Sequence, residues 1–554
     1  MTWRDVGHTG CRTRTTVVLD KCYTGRLGTV RLGTGAFSSI FTYRLRSEGT
    51  TADITEGWAT RAGHPTYLLS RWLFLRLLGV VYFVAFVSLA MQITGLVGEH
   101  GILPVGAFLQ RAHAAYGSGA YRLFPTLCWL DGSDGMLRAL VWGGAALALL
   151  LVVGAAQAPV LLLLWTCYLS LSVAGQTFLW FQWDGLLLET GLLAVLYAPT
   201  QLRPGVARER APSAVMRWLV WGLVFRLMLL SGITKLVSGD PTWLRLTALD
   251  YHFWTQPLPT WPAWYAQWLP EWMHRAMTLA ILAIELFAPW LIVVPERWRG
   301  RRARVAAFGL LVIGQLAIAL AGNYGFFNLL AIVLCVSLLD DAALGRVLPL
   351  RLADGDPEPR WKQLTIRGLA PVLALLGGLA FAREIVQTLP GTRAAFANPL
   401  LDAAAPFRSV NGYGLFRVMT TSRFEIVIEG GADSVHWREY RFRWKPDPAR
   451  RPPFMAPHMP RLDWQMWFAA LNPEGAREWL VPLLRHLLQG TPEVLGLLGE
   501  NPFPSGPPGY VRLVYYRYRF STPPERAGDG AWWQRERVGY LTEPLSVDGT
   551  LPPR

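Results

Sequence analysis

The chain has 554 residues, of which 52% are hydrophobic and only 16% are charged, and its mean hydropathy is +0.26. Water-soluble globular proteins carry nearer a quarter charged residues, so this composition predicts an integral membrane protein. A net charge of +15 would otherwise indicate a nucleic-acid-binding protein. Because the arginines gather in short loops between apolar runs, cytoplasmic loop bias explains the charge better, and we expect the lipid bilayer rather than nucleic acid as partner.

The chain begins with a polar segment, residues 1–63, which is rich in Arg, Thr and Gly and has no apolar core. We expect a disordered tail or a start-site extension there, not a signal peptide. A transmembrane helical bundle is predicted over 64–386, because a crossing needs about 20 apolar residues. The nine candidate spans, of which the fourth and eighth are short, are Leu73–Ile93, Leu137–Ala156, Pro159–Leu179, Trp183–Ala198, Met216–Val237, Ala276–Val294, Ala303–Ala321, Gly325–Leu339 and Ile366–Val386.

Arginine placement predicts how the bundle is oriented. With nine spans and a cytoplasmic N-terminus, the arginine-bearing loops at 203–217, 297–304 and 346–367 all fall in the cytoplasm. The loops on the other side carry few positive charges for their length. The C-terminal domain then lies outside the cytoplasm, with the bundle in a bacterial inner membrane, or in the endoplasmic reticulum membrane if the chain is eukaryotic.

One outer segment, 238–275, combines prolines with six tryptophans, at positions 243, 254, 261, 264, 268 and 272. Prolines at this density exclude a continuous helix, and indole rings favour the headgroup level of a bilayer. We interpret the segment as an ordered loop on the outer interface. An aromatic belt with no further role is the alternative.

Beyond the last span, residues 387–545 change to a period of two, which is typical of strands with one buried face. Three strands are predicted around Phe424–Ile428, Tyr440–Trp444 and Tyr516–Phe520, and two helices over Asp463–Leu471 and Glu478–Leu488. The fold class is therefore a helical polytopic bundle followed by a β-rich (α+β) extracytoplasmic domain, with a flexible tail at 546–554. The arginines that alternate along these strands indicate either a solvated face or a site for an anionic partner.

Sequence motifs for catalysis, metal binding or nucleotide binding are missing from the chain. It contains no HExxH, CxxC pair, P-loop, nucleotide glycine fingerprint or GxSxG elbow. We therefore name no catalytic residue, metal ligand or cofactor.

Charged residues inside the apolar spans are the clearest candidates for a site, because such groups cost several kcal/mol at mid-bilayer unless they are paired or hydrated. Glu189, Arg226 and Glu285 lie at similar depth on consecutive spans, which predicts an intramembrane network with Arg226 within reach of a carboxylate. Asp184 and Lys235 lie nearer the outer surface as a possible second pair, and Asn323 and Asn328 add polar groups to the network. The network either holds helices together or lines a polar cavity open to the outer side.

Several blocks of sequence, spread from about Tyr67 to Phe520, resemble one membrane protein family. They are GLVGEHGILP at Gly95–Pro104, FQWDGLLLETG at Phe181–Gly191, FRLMLLSGITKLVSGDPTW at Phe225–Trp243, LTALDYHF followed by TQPLP at Thr255–Pro259, GNYGFFN at Gly322–Asn328, Asp340–Asp341, YGLFRVMT at Tyr413–Thr420, DWQMWFAAL at Asp463–Leu471 and NPF at Asn501–Phe503. On these blocks the chain resembles the lipase maturation factor family, as a bacterial-type member.

The resemblance implies a multi-span membrane protein that helps secreted client proteins, such as lipases, to fold or assemble, and it favours a chaperone-like role over an enzymatic one. Client recognition would use aromatic-rich segments of the soluble domain, since such side chains dominate protein interfaces. Core packing is the alternative role for them. The candidate client-binding residues are Tyr413, Phe416, Arg417, Asp463, Trp464 and Trp467.

A rival function remains open at this point. A membrane enzyme or lipid-handling protein would work at a cavity around Glu189, Arg226 and Glu285. The membrane region then resembles vitamin K-dependent carboxylase-type proteins, in architecture and in the presence of Lys235 only.

Overall fold

The computed structural model describes the chain over 65–202, 209–348, 350, 358–389, 398–433, 435–456 and 459–546. The predicted N-terminal tail lies outside the described residues, and so does the predicted C-terminal tail apart from Ser546.

Helices dominate the first two-thirds of the chain. In chain order they are α1 (Leu68–Ala90), α2 (Ile93–Val97), α3 (Val105–Tyr116), α4 (Ala120–Leu123), α5 (Asp134–Val153), α6 (Gln157–Ala174), α7 (Gln182–Tyr197), α8 (Ala214–Val237), α9 (Pro241–Leu244), α10 (Ala248–Thr255), α11 (Trp261–Gln267), α12 (Glu271–Phe287), α13 (Gly300–Ala321), α14 (Phe327–Val336), α15 (Asp341–Leu344), α16 (Arg360–Thr388) and α17 (Pro399–Ala404). Short 3₁₀ turns join several of them.

All nine predicted spans are helical, but only seven of the helices in the described residues are long and apolar enough to cross a bilayer. These are α1, α5, α6, α8, α12 with the turn that follows it, α13 and α16. The other two, α7 and α14, have 16 and 10 residues. Most of their side chains are buried within the protein, so they need not match the thickness of the hydrocarbon. The predicted count of nine full spans is thus approximate.

Buried carboxylates join helices and loops at the end of the bundle where the arginine-bearing loops lie, which is the predicted cytoplasmic end. Asp341 accepts hydrogen bonds from the backbone amides of Leu68 and Leu69 at 2.9 and 2.8 Å, so a side chain 272 residues away caps the first turn of α1. Arg71 forms a salt bridge with Glu209 at 3.3 Å. These contacts fasten α1 to two distant loops.

The tryptophan-rich segment is ordered, as expected, and folds into α9, α10 and α11. The C-terminal domain covers part of it: the Trp264 indole is buried and donates to the Ser521 carbonyl oxygen at 2.9 Å. Trp243 is buried too, whereas Trp268 and Trp272 are exposed. Some of the tryptophans are therefore core residues, and others lie on the surface.

The C-terminal domain contains one antiparallel sheet. Its strands are β1 (Arg423–Gly431), β2 (Trp437–Tyr440), β3 (Tyr510–Phe520), β4 (Trp533–Tyr540) and β5 (Leu545–Ser546). The order is β2-β1-β3-β4, and β5 also pairs with β3. The helices are α18 (Arg461–Leu471), α19 (Arg477–Gln489), α20 (Pro492–Leu495) and α21 (Pro523–Asp529), and α18 packs against β1.

The predicted second strand, Tyr440–Trp444, is misplaced along the chain, because β2 covers Trp437–Tyr440. β2 ends at Tyr440, and the backbone amides of Trp444 and Lys445 donate to the Asp463 carboxylate at 2.8 and 3.1 Å instead of to a neighbouring strand. The strand β4 was not predicted from the sequence, because its charged residues do not alternate with apolar ones.

Arginines on the sheet pair with carboxylates of the same domain. Arg512 contacts Glu429 at 2.7 Å across β3 and β1, and Arg535 contacts Glu439 at 2.7 Å. This pairing favours a solvated, self-neutralised face over a site for an anionic partner.

Candidate functional site

The predicted salt bridge between α7 and α8 is present. Arg226 contacts the Glu189 carboxylate, whose other oxygen accepts the Tyr413 hydroxyl at 2.7 Å and the Asn411 backbone amide at 3.1 Å. Burial, reinforced by Glu189, raises the pKa of the Tyr413 hydroxyl well above its usual value, so the hydroxyl remains a donor. The segment that leads into β1 thus enters the bundle and completes this polar cluster.

Glu285 does not join that cluster, which corrects the predicted three-residue network. Both of its carboxylate oxygens lie 2.7 Å from Lys235 Nζ. Arg226 and Lys235 are nine residues apart on α8, which is two and a half turns at about 3.6 residues per turn. They therefore face opposite sides of one helix and serve separate pairs.

Asp184 pairs with Arg461 of α18 and not with Lys235. The guanidinium makes two parallel contacts to the carboxylate, at 2.9 and 2.8 Å, and the Tyr168 hydroxyl donates to the same carboxylate at 2.6 Å. Each charged side chain of the pair is 1% exposed. A bidentate pair of this kind fixes both distance and orientation, so it joins the C-terminal domain to the bundle.

Arg461 was missed in the sequence because it lies in a segment with the pattern of a soluble domain. The available signal was its position two residues before the family block at Asp463–Leu471, which also contributes buried tryptophans.

Asn323 and Asn328 belong to neither ion pair. Asn323 Oδ1 accepts the Ala456 backbone amide at 2.7 Å. The Asn328 amide donates to the Gln315 side-chain oxygen at 3.1 Å. The first contact ties the C-terminal domain to the loop between α13 and α14, and the second links α14 to α13.

Family models match both parts of the chain. The lipase maturation factor transmembrane domain matches residues 69–346, and the lipase maturation factor C-terminal domain matches residues 409–543. The chain belongs to the lipase maturation factor family. It is 37% identical to Lipase maturation factor 2 of Homo sapiens, over 87% of this chain and 84% of that protein. It is 36% identical to Lipase maturation factor 1 of Bos taurus, over 88% and 90% respectively. No solved structure matches the chain.

Two glycines of the family block Phe181–Gly191 have a structural explanation. A Cβ atom on Gly185 would lie 2.9 Å from Asn411 Oδ1, and one on Gly191 would lie 2.0 Å from the Tyr82 hydroxyl. Glycine at these positions lets α7 approach both the Asn411 segment and α1. The block therefore combines close packing with the carboxylates of Asp184 and Glu189.

Most of the candidate client-binding residues of this family member lie inside the protein. Tyr413, Asp463, Trp464 and Trp467 are buried. The Trp467 indole donates to the Thr255 carbonyl oxygen at 2.9 Å. This burial favours the packing role that the sequence left open for these four side chains.

The other two candidates lie nearer the surface. Phe416 is half-buried, and its ring lies 4.8 Å from the His252 ring. The Arg417 side chain is 43% exposed and contacts Glu384 at 3.0 Å. Of the six predicted residues, Arg417 is thus the most accessible to a client.

The Asp463 carboxyl group of the C-terminal domain has a shifted pKa. It accepts two backbone amides and lies near Lys445, but burial dominates and raises the pKa of its carboxyl group to about 6. A carboxyl group with this pKa changes charge near neutral pH.

Each ion pair on α8 borders a cavity with mainly apolar walls. Glu189 and Arg226 lie at the edge of an open groove of about 770 Å³ between α7, α8 and α16. Lys235 and Glu285 line a second cavity of about 300 Å³ between α8, α12 and α13. Within the described ranges, no three His, Cys, Asp or Glu side chains are grouped to hold a metal ion.

Proposed function

We propose that this integral membrane protein is a maturation factor that assists the folding or assembly of secreted lipases. One observation carries the proposal: both domain models of the lipase maturation factor family match the chain, in order, and together they include most of it. The chain also aligns with most of the length of the relatives named as lipase maturation factors. These relatives do not favour the alternative of a membrane enzyme, and Glu285 lies apart from the Glu189–Arg226 pair on which that alternative depended.

Co-expression tests this function. A secreted dimeric lipase is produced with and without the chain in cells that lack their own maturation factor, and lipase activity is measured per amount of secreted lipase protein. We expect a severalfold higher specific activity when the chain is present in the membrane. Unchanged specific activity for several lipases, with the chain correctly inserted, would contradict the proposal.

We also propose that clients contact exposed apolar side chains of the extracytoplasmic part. Arg417 is followed by Val418, which is 62% exposed, and Leu471 at the end of α18 is 44% exposed. Exposed apolar side chains contribute contacts to protein interaction surfaces. Val418→Asp and Leu471→Asp should lower client maturation, whereas Val538→Asp on the edge strand β4, with a similar exposure of 52%, serves as the matched control.

The proposed orientation places the N-terminus in the cytoplasm and the C-terminal domain, residues 387–545, in the periplasm or the lumen of the endoplasmic reticulum. It is supported by the contacts of that domain with the outer segments, such as the Asn323–Ala456 hydrogen bond. The arginine-bearing loops meet at the other end of the bundle, where Arg301 contacts Asp340 at 2.5 Å. Two reporters fused after Arg554 test the orientation. Alkaline phosphatase, which is active outside the cytoplasm, should be active in this fusion. Fluorescence from a fluorescent protein that folds only in the cytoplasm would contradict the orientation.

A further inference from the structure

The cavity of about 300 Å³ between α8, α12 and α13 opens sideways toward the membrane. Three of its lining residues, Ala280, Ile313 and Ala317, are exposed on the outer faces of the spanning helices α12 and α13. At this place the protein surface meets hydrocarbon and not water. A ligand that enters here therefore arrives from the bilayer and is largely apolar.

The interior of the cavity fits such a ligand. Its walls consist mostly of apolar side chains, including those of Leu227, Met228, Met277, Ile284 and Phe327. The volume lies at the lower end of the range of about 300–1,000 Å³ that is typical of small-molecule sites. One chain or ring system of a lipid fills a space of this size.

Few polar side chains line the cavity, namely those of Ser231, Lys235, His252, Glu285, Gln315 and Tyr324. Lys235 and Glu285 line it, but each neutralises the other through two contacts of 2.7 Å. The Lys235 ammonium also donates to the Ser231 carbonyl oxygen at 3.1 Å. The cavity therefore offers no unbalanced charge to a charged headgroup, and desolvating one there would be costly.

Of the other polar lining residues, Ser231 donates to the Leu227 carbonyl oxygen and Gln315 contacts Asn328, which leaves His252 to be considered. The Tyr324 hydroxyl donates to Gln256 Oε1 at 2.6 Å, so it accepts at its oxygen from His252 Nε2, which lies 3.1 Å away. The Gln256 amide donates to the Ala321 carbonyl oxygen at 2.9 Å, which fixes the orientation of the amide. The His252 ring thus carries its proton on Nε2.

His252 Nδ1 is then a free lone pair. It is shielded from solvent and has no hydrogen-bond partner among the described residues. Burial, followed by the charge of Lys235, lowers the pKa of His252 to about 4, so the ring is neutral near pH 7. A buried acceptor without a donor carries a desolvation cost that a ligand donor would remove.

We infer that this cavity binds a neutral lipid bearing a hydroxyl group. The hydroxyl donates to His252 Nδ1 beside the Lys235–Glu285 pair, and the apolar body of the lipid extends between α12 and α13 to the bilayer. This site is additional to the client-binding role and does not depend on it.

Photo-crosslinking tests the inference with the full chain reconstituted in phosphatidylcholine vesicles. The probes are a diazirine-bearing hexadecanol, its methyl ether and the corresponding fatty acid, and labelled peptides are quantified by mass spectrometry. We expect the alcohol to label peptides of α12 and α13 about fivefold more than the ether, which is the equilibrium effect of one hydrogen bond. The ionised acid should label no better than the ether.

Variants separate the cavity from the general lipid surface. His252→Phe should reduce labelling by the alcohol to the level of the ether, and Ala317→Phe, at the mouth, should reduce labelling by both. Ala306→Phe is the matched control, because Ala306 is exposed on the same helix, does not line the cavity and lies eleven residues from Ala317 on nearly the same face. It should label like the wild type.

Unlabelled hexadecanol, but not its methyl ether, should compete with the probe in the wild-type protein, which gives a test that needs no variant. Equal labelling and competition by alcohol and ether would overturn hydroxyl recognition. Undiminished labelling in a folded Ala317→Phe variant would overturn the cavity as the site.

Discussion

Two ion pairs lie on opposite faces of α8, and the charges of each are compensated in a different way. On one face, Arg226 and Glu189 share hydrogen bonds with Asn411 and Tyr413 of the segment before β1. On the other face, Lys235 and Glu285 bind mainly each other and border a cavity. Both pairs border a cavity, but the first pair is completed by a distant part of the chain, whereas the second is completed within the bundle.

This difference separates a structural role from a binding role. A buried ion pair whose carboxylate already accepts side-chain and backbone donors fastens helices, even where it borders a groove. A self-neutralised pair beside an empty apolar space sets the polarity of one end of a pocket. Charge inside a span is therefore insufficient evidence for a site; the neighbours of the charged group decide its role.

The largest effect is expected from the buried Asp184–Arg461 pair, which joins the two domains. Arg461→Ala leaves Asp184 buried without a cation, and loss of one partner in such a pair costs about 3–5 kcal/mol. Thermal unfolding in detergent should begin at a much lower temperature, and protease should release the C-terminal domain. The double variant Asp184→Leu with Arg461→Met should recover part of the stability; no recovery would contradict this explanation.

Asp463 contrasts with the carboxylates that pair with α8, because backbone amides hold it and burial dominates. The pKa of its carboxyl group is about 6 in the folded protein and 3.8 for the ordinary side chain. The folded state thus binds the proton more tightly, and this contribution to stability is present below about pH 4 and is lost as the pH rises through 6.

Asp463→Asn removes this titration and keeps an oxygen for the two amides. The free energy of unfolding of the variant, relative to the wild type, should rise by about 3 kcal/mol between pH 3 and pH 7. Tryptophan fluorescence during denaturant unfolding at each pH measures the change. A difference that does not vary with pH would show that Asp463 keeps its ordinary pKa.

A smaller effect is expected for the Glu189–Arg226 pair. Arg226→Met removes the cation, but Glu189 keeps its donors from Asn411 and Tyr413, so we expect a loss of about 2–3 kcal/mol, the value of a hydrogen bond to a charged group. Adding Tyr413→Phe should deepen the loss beyond the sum of the two single changes, since both side chains serve one carboxylate. Strict additivity, measured by thermal unfolding, would contradict this shared arrangement.

The smallest effect compares two glycines of α8. A Cβ atom on Gly232 would lie 2.9 Å from Leu286 Cδ2, whereas one on Gly222, beside the open groove, would meet nothing within 4 Å. Gly232→Val should therefore destabilise the protein by about 1–2 kcal/mol through overpacking against α12. Gly222→Val is the matched control and should unfold within a degree or two of the wild type; equal losses would contradict the assignment of the two faces.

Local patterns along the chain were enough to predict its long apolar helices. The run from Met216 to Val237 predicts α8 almost residue for residue, because hydrocarbon accepts only segments that satisfy their own backbone hydrogen bonds. Length was less predictable: α14 is a short helix because the protein, and not lipid, surrounds it. The strand β4 was not predicted because its charged residues do not alternate with apolar ones.

The sequence by itself determined the membrane class, the order of the two domains, the family and the presence of charges that need partners. Only the tertiary structure decided which charges meet. Asp184 is 277 residues from Arg461, and Glu189 is 224 residues from Tyr413. Composition and periodicity act over a few turns, whereas the pairing of buried charges depends on how distant elements pack against one another.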